Sequence, residues 1–148
     1  MIPNTLENLT FRLETGIDIG ASPEVAFEAL LEQVGPLNET PAGDSLAMKL
    51  EPWPGGRWYR DLGGDDGHLW GHVQAIKRPT LLEIAGPLFM SYAAISNVQY
   101  RLMEVDGKTR LAFRHSAFGL LEEAHRKGMS TGWTHILQRI RAHAEHHA

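Results

Sequence analysis

The chain has 148 residues, of which 43% are hydrophobic and 22% charged, and its formal net charge is −4. This length and composition predict one globular domain over residues 1–148 with a single core. The mild acidity argues against a general nucleic-acid binder, which normally has a basic face. Cysteine is absent, which excludes disulfides, thiolate nucleophiles and cysteine-based zinc sites. We find no signal-peptide pattern and no run of about 18 apolar residues, so we expect a cytoplasmic protein with no membrane span.

The first part of the chain predicts a strand followed by a helix. Apolar residues occupy the odd positions of the segment 9–19, which is the period of a strand with one buried face. The segment 22–34 changes to helical spacing. Ser22 suits the N-cap and Pro23 suits the first helical position, while Gly35 is a natural stop.

After a loop, the middle of the chain predicts six short strands separated by turn residues. They cover 46–52, 56–62, 68–77, 80–86, 95–105 and 109–117. Asp106 and Gly107 lie between two alternating runs, which is the strongest short-range signal for a hairpin. The other connections are too short for crossovers, so the sheet is expected to be antiparallel.

The chain closes with a long predicted helix over 120–146. Its apolar residues recur every three or four positions and form one face: Met129, Trp133, Ile136, Leu137, Ile140 and Ala144. Gly128 and Gly132 interrupt this helix at about 1 kcal/mol each, and they indicate either a kink or a close approach to the sheet. The element order predicts an α+β fold, in which a curved antiparallel sheet of six or seven strands wraps around the C-terminal helix.

The segment 53–72, WPGGRWYRDLGGDDGHLWGH, contains glycines and histidines that invite two functional interpretations. A phosphate-binding loop would need a lysine and a following helix, and neither is present, so hairpin turns explain the glycines better. His68 and His72 would lie about 13 Å apart on a strand, too far to share a metal ion without ligands from other segments. His143 and His147 in the last helical turn could form at best an adventitious site. We therefore predict no metal and no cofactor.

Two aromatic residues of that segment are expected to face the interior. Trp58 shares a strand face with Arg60, and Trp70 shares the next strand's face with the two histidines. Whether the two faces coincide depends on one residue in the loop between the strands. We expect Trp58 to point toward the long helix.

Four stretches, in this order and spacing, carry a resemblance to a known family. They are IDIGASPEVAFEAL, EPWPGGRWYRD, GHVQAIKRPTLLEI, and GKTRLAFRHSAFG followed by HRKGMSTGWTHIL. The chain resembles the START-like, helix-grip superfamily (SRPBCC), within the branch homologous to the C-terminal domain of the heat-shock-protein ATPase activator. It shows no counterpart of the separate N-terminal chaperone-binding domain of the eukaryotic activators, which weakens the expectation of direct chaperone activation.

The resemblance implies a hydrophobic cavity between the concave side of the sheet and the C-terminal helix. Members of the superfamily bind lipids, aromatic polyketides or other small apolar molecules, and some catalyse cyclisation or dehydration. The expected ligand-binding residues are Trp58, Trp70, Phe89, Tyr100, Phe113, His115, Trp133 and Leu137. The apolar segment 87–95 either covers the cavity mouth, contacts a partner or folds under as another strand.

A catalytic site is only weakly indicated. His115, Tyr100 and Arg60 are candidate acid–base and anchoring groups, although a buried structural histidine and an ordinary ion pair explain His115 and Arg60 equally well. Ser116 directly follows His115, so the two side chains point to opposite faces of a strand and cannot form a nucleophile–base pair. The leading hypothesis is a binding module for a small apolar molecule, with a homodimer left open. The alternatives are a cyclase- or dehydratase-type enzyme and a stress-related protein that interacts with a chaperone.

Overall fold

A computed structural model describes residues 5–148. After a short 3-10 helix at Glu7–Leu9, the elements are β1 (Thr10–Ile19), α1 (Pro23–Val34), β2 (Lys49–Leu50), β3 (Arg57–Gly63), β4 (Asp66–Lys77), β5 (Leu81–Gly86), β6 (Ala94–Val105), β7 (Lys108–Gly119) and α2 (Glu123–His146). The seven strands form one antiparallel sheet in the order β1-β7-β6-β5-β4-β3-β2. The predicted α+β architecture is confirmed, with seven strands curved around the C-terminal helix.

Helix α2 covers the concave side of the sheet with its apolar face. The side chains of this face are buried, and they are the six residues predicted from the helical spacing. Helix α1 packs against α2 and begins as expected, because Ser22 Oγ accepts a hydrogen bond from the Val25 N–H at 3.3 Å and Pro23 occupies the first helical position. Within residues 5–148, no helix is long and apolar enough to cross a membrane.

The two tight hairpins follow the turn chemistry of the sequence. Asp106 and Gly107 have φ values of 53° and 79°, the left-handed conformation that a two-residue hairpin turn requires, so this predicted hairpin is confirmed. Gly64 and Asp65, with φ values of 59° and 67°, join β3 to β4 in the same way.

The predicted strand over 46–52 is wrong in extent, because only Lys49–Leu50 pairs with β3. The Leu46 N–H donates to the Asn38 carbonyl at 2.9 Å, and the Met48 N–H donates to the Gly35 carbonyl at 2.9 Å. The backbone of residues 46–48 is therefore bonded to the loop that follows α1. That loop is thereby held beside the C-terminal end of α1.

A bulge in β4 decides which way Trp70 points. Trp58 pairs with Gly71, but the next residue of β3, Tyr59, pairs with Leu69, so β4 has one additional residue at this place. The additional residue is Trp70, which is turned to the same side of the sheet as Trp58. The two indole rings lie 5.1 Å apart in a T-shaped arrangement. The bulge therefore determines that Trp70 points to the inner side of the sheet.

Candidate functional site

An apolar cavity of about 470 Å³ lies between the inner face of the sheet, α2 and the loop after α1. Four aromatic side chains form much of its wall, and apolar side chains of the two helices and the loop complete it. The aromatic residues are Trp58, Trp70, Phe89 and Trp133, and the aliphatic ones include Leu46, Met129 and Ile136. The rings meet edge to face, since the Trp70 and Phe89 centroids are 5.8 Å apart at 68°. This wall suits an apolar ligand.

The three tryptophans of the cavity turn their indole N–H groups toward the protein. Trp58, Trp70 and Trp133 each donate a hydrogen bond to an acceptor in the protein. Their acceptors are, respectively, the Val34 carbonyl at 2.8 Å, His68 Nδ1 at 3.0 Å and His115 Nδ1 at 2.9 Å. Since the polar atoms are already paired, the tryptophans offer a ligand their apolar ring surfaces.

Two glycines of α2 also line the cavity. A Cβ atom built on Gly128 or Gly132 would meet no atom within 4 Å. Of the two alternatives that the sequence left open, a kink or a close approach to the sheet, the close approach is therefore excluded at these positions. Each glycine weakens the helix by about 1 kcal/mol relative to alanine. At both positions, the missing side chain leaves space in the cavity.

We expect Gly132→Ala to raise the free energy of unfolding by about 1 kcal/mol, because alanine has the higher helix propensity and its methyl group meets open space. Urea unfolding followed by far-UV circular dichroism measures the change. Gly107→Ala is the matched control: its Cβ also meets nothing within 4 Å, but φ is +79°, so a loss of about 1–2 kcal/mol is expected. A loss of stability in Gly132→Ala would show that the helix needs glycine there for another reason.

The segment between β5 and β6 contributes Phe89 to the cavity wall. The Phe89 ring meets the ring of His125 at 5.1 Å. Tyr92 stacks on His125 with the rings 8° from parallel, and its hydroxyl lies 2.7 Å from His125 Nδ1. The same hydroxyl accepts a hydrogen bond from the Glu122 N–H at 3.2 Å. These contacts fasten the segment to the start of α2.

Polar side chains lie at the opposite part of the cavity, in the loop after α1. Asn38, Glu39 and Thr40 all line it. Glu39 Oε1 lies 3.0 Å from His135 Nε2 and 3.1 Å from Arg139 Nη1. The Glu39 carboxylate is therefore already engaged by α2, and this ion pair holds the loop against the helix.

The structure separates the predicted ligand-binding residues into two groups. Trp58, Trp70, Phe89 and Trp133 line the cavity. The other four are buried in the packed core behind it and do not line it: Tyr100, Phe113, His115 and Leu137. The periodicity of the strands and of α2, together with the family resemblance, pointed to these eight residues, but neither could distinguish the cavity wall from the layer behind it.

His115 is fully buried and has a partner on each ring nitrogen. Trp133 Nε1 donates to His115 Nδ1 at 2.9 Å, so Nδ1 must be an acceptor and the proton of the neutral ring lies on Nε2. Nε2 in turn lies 2.9 Å from Ser96 Oγ, which accepts this proton's hydrogen bond. Burial lowers the pKa of His115 to about 4. This imidazole is thus held neutral and turned toward the protein.

The three candidate catalytic residues do not meet at one point. The Tyr100 hydroxyl is buried with no hydrogen-bond partner within residues 5–148, and burial raises its pKa. Its ring packs on Phe113, and neither Tyr100 nor His115 lines the cavity. Arg60 lies on β3, three strands away from Tyr100, or about 14 Å along the sheet. The arrangement provides no acid–base pair from these residues.

A seven-stranded antiparallel sheet curved around a long C-terminal helix, with an apolar cavity between them, defines a helix-grip protein. The family model for "Activator of Hsp90 ATPase homolog 1-like protein" matches residues 20–145. The chain belongs to that family. No curated protein sequence matches it significantly.

Solved structures share the fold at low sequence identity. An uncharacterized protein from Rhizobium leguminosarum is 18% identical with a TM-score of 0.71, and the match covers 93% of this chain and 95% of that one. The protein Ara h 8.0201 is 13% identical with a TM-score of 0.67, and the match covers 91% of this chain and 97% of that one. The di-domain ARO/CYC protein StfQ of the steffimycin biosynthetic pathway is 13% identical with a TM-score of 0.69; the match covers 96% of this chain and 53% of StfQ.

Proposed function

We propose that this protein binds a small, mainly apolar organic molecule in the cavity between the sheet and α2. The observation that carries the proposal is the cavity itself, about 470 Å³ in volume and walled by four aromatic side chains. This volume lies in the range of about 300–1,000 Å³ typical of small-molecule sites. Aromatic walls with few free polar groups favour a lipid-like or aromatic ligand.

The glycines of α2 support the same proposal. A protein selected for stability alone would gain from a side chain at Gly132, because the space is available and the helix would be stronger. Keeping this space empty makes sense if another molecule occupies it. A protein of the same fold, StfQ, is a di-domain ARO/CYC protein of the steffimycin biosynthetic pathway.

Native mass spectrometry of gently purified protein, together with displacement of the apolar dye N-phenyl-1-naphthylamine, tests ligand binding. We expect a retained mass or saturable dye binding that quenches tryptophan fluorescence, because three indoles line the cavity. A protein that neither retains nor accepts any apolar molecule would contradict the proposal.

A larger side chain on α2 that fills part of the cavity tests whether the dye binds there. We expect Gly132→Leu to weaken dye binding at least tenfold, because its side chain occupies the space that the ligand needs, while the fold remains stable. Ser130→Leu adds the same side chain to an exposed position of α2 outside the cavity and should bind the dye like the wild type. Equal affinities in both variants would place the dye elsewhere on the protein.

A cyclase- or dehydratase-type reaction is the second candidate, and the pairing of Tyr92 with His125, which lines the cavity, favours it. An imidazole and a phenol hydroxyl 2.7 Å apart can transfer a proton to or from a bound molecule. If turnover of a polyketide-like substrate is found, His125→Gln should abolish it and leave dye binding intact. Turnover that survives this change would exclude His125 from the reaction.

A stress-related interaction with a chaperone is the third candidate, favoured by the family that the chain belongs to. A pull-down with the chaperone at physiological salt tests it. Enrichment of the chaperone supports this role, and failure to enrich it counts against the role.

A further inference from the structure

Most polar groups on the cavity wall already form hydrogen bonds or ion pairs with other groups of the protein. The three indole N–H groups have acceptors, and the Glu39 carboxylate is engaged by His135 and Arg139. Thr40 Oγ1 accepts a hydrogen bond from the Asp44 N–H at 3.2 Å. One polar side chain of the inner wall differs from these groups, namely that of Asn38.

Asn38 is 5% exposed and lines the cavity. Both of its backbone polar groups are hydrogen-bonded: the N–H donates to the Gly35 carbonyl at 3.1 Å, and the carbonyl accepts from the Leu46 N–H at 2.9 Å. Its side-chain amide, by contrast, forms no hydrogen bond to the protein within residues 5–148, and its atoms are not among those fully excluded from solvent. A carboxamide has two donor hydrogens and an acceptor oxygen, and buried groups of this kind are normally paired.

The backbone bonds of Asn38 hold it in place. The loop around it is anchored to the end of α1 through Gly35, to the chain before β2 through Leu46, and to α2 through the ion pair of the adjacent Glu39. A polar side chain on such a fixed segment can act as a specific contact, because little order is lost when a ligand binds.

The cavity is elongated, and Asn38 belongs to one end of it. Glu39 contacts the turn of α2 that contains His135 and Arg139, whereas His125 lines the cavity near the start of the same helix. Positions 125 and 136 both line the cavity, and the eleven helical steps from one to the other correspond to about 16 Å along the helix axis. A ligand that fills this space is long and narrow.

From these observations we propose that the ligand is an elongated, apolar, ring-containing molecule with a hydroxyl or carbonyl oxygen at one end, and that the Asn38 amide binds this oxygen. The inference rests on the proposed binding function and gives the class of ligand. The rings of Trp58, Trp70 and Trp133 contact its apolar body. A ligand without the oxygen would leave the amide unpaired, so the site selects for it.

Two probes of nearly equal size test this selectivity: 2-hydroxyanthracene and 2-methylanthracene. Their dissociation constants are measured by quenching of tryptophan fluorescence with the wild type, Asn38→Ala and Asn97→Ala. Asn97 lies on β6 and does not line the cavity, so its variant is the matched control. Thermal unfolding of each variant verifies the fold.

We expect Asn38→Ala to weaken binding of the hydroxy probe about tenfold relative to the methyl probe, which corresponds to one hydrogen bond. Asn97→Ala should leave the ratio of the two affinities at the wild-type value. If Asn38→Ala does not fold, the wild type decides the question, because a preference for the methyl probe would itself overturn the inference.

The remaining outcomes separate this inference from the proposed function. If both probes bind and Asn38→Ala changes their affinities equally, the cavity is a binding site but Asn38 does not select the oxygen. If neither probe nor the dye binds the wild type, the binding function fails, and the inference fails with it.

Discussion

Acidification from pH 6.5 to about pH 4 is expected to remove about 3 kcal/mol of folding stability through His115 alone. Burial lowers the pKa of this histidine from its ordinary 6.5 to about 4 in the folded protein. In this pH range the unfolded chain therefore binds a proton that the folded chain does not. The free energy of unfolding must fall as the pH decreases through the range and level off below it.

The geometry explains why His115 resists protonation. A proton on Nδ1 would point at the N–H group of Trp133, 2.9 Å away, and the charge would be buried. Urea unfolding at pH 7, 6, 5 and 4 measures the effect, and His115→Gln should show the smaller pH dependence. His72→Gln is the control, because His72 is exposed, and it should behave like the wild type. Identical pH dependence in wild type and His115→Gln would contradict this prediction.

Trp133→Ala is expected to lower the free energy of unfolding by about 3–5 kcal/mol, the usual cost of truncating a large core aromatic. Trp133 is buried, and its ring packs on Phe113 at 4.8 Å while its N–H donates to His115. Trp133→Phe should cost less, about 1–3 kcal/mol, because a ring remains but the buried Nδ1 of His115 loses its donor.

Unfolding in urea, followed by circular dichroism, measures these changes. Trp53→Ala is the matched control, since Trp53 is 55% exposed and its truncation should change stability by less than about 0.5 kcal/mol. A loss close to zero in Trp133→Phe, beside a large loss in Trp133→Ala, would show that the hydrogen bond to His115 is unimportant.

The fold could be predicted because its signals are local. The alternating strands, the Asp106–Gly107 turn and the apolar face of the last helix all appear in the sequence as short-range patterns, and all are present in the structure. The strand over 46–52 failed for the opposite reason. Its residues alternate like a strand, but residues 46–48 hydrogen-bond to the loop after α1, and this long-range contact leaves no local signal.

The candidate site was only partly predictable, because a cavity is space that no side chain fills, and residues that line such space have the same sequence pattern as residues packed in the core. The inward direction of Trp58 and Trp133 followed from periodicity, but Phe113 and His115 have the same pattern and lie in the packed core. Asn38 is in a loop where asparagine is expected for its turn propensity alone, so nothing marked it as a cavity residue. His125 lies outside the apolar face of the last helix, and only the coordinates show Tyr92 and Phe89 around it.

The pairing of the first strand with the last one has a consequence for synthesis on the ribosome. Strand β1 is at the edge of the sheet, and its register joins Thr10 to Phe118 and Ile19 to Thr109. The nascent β1 therefore has no partner until nearly the whole chain has been translated, and pairing of such distant segments is slow. A message truncated before residue 108 would produce a chain whose first strand remains unpaired and prone to aggregation.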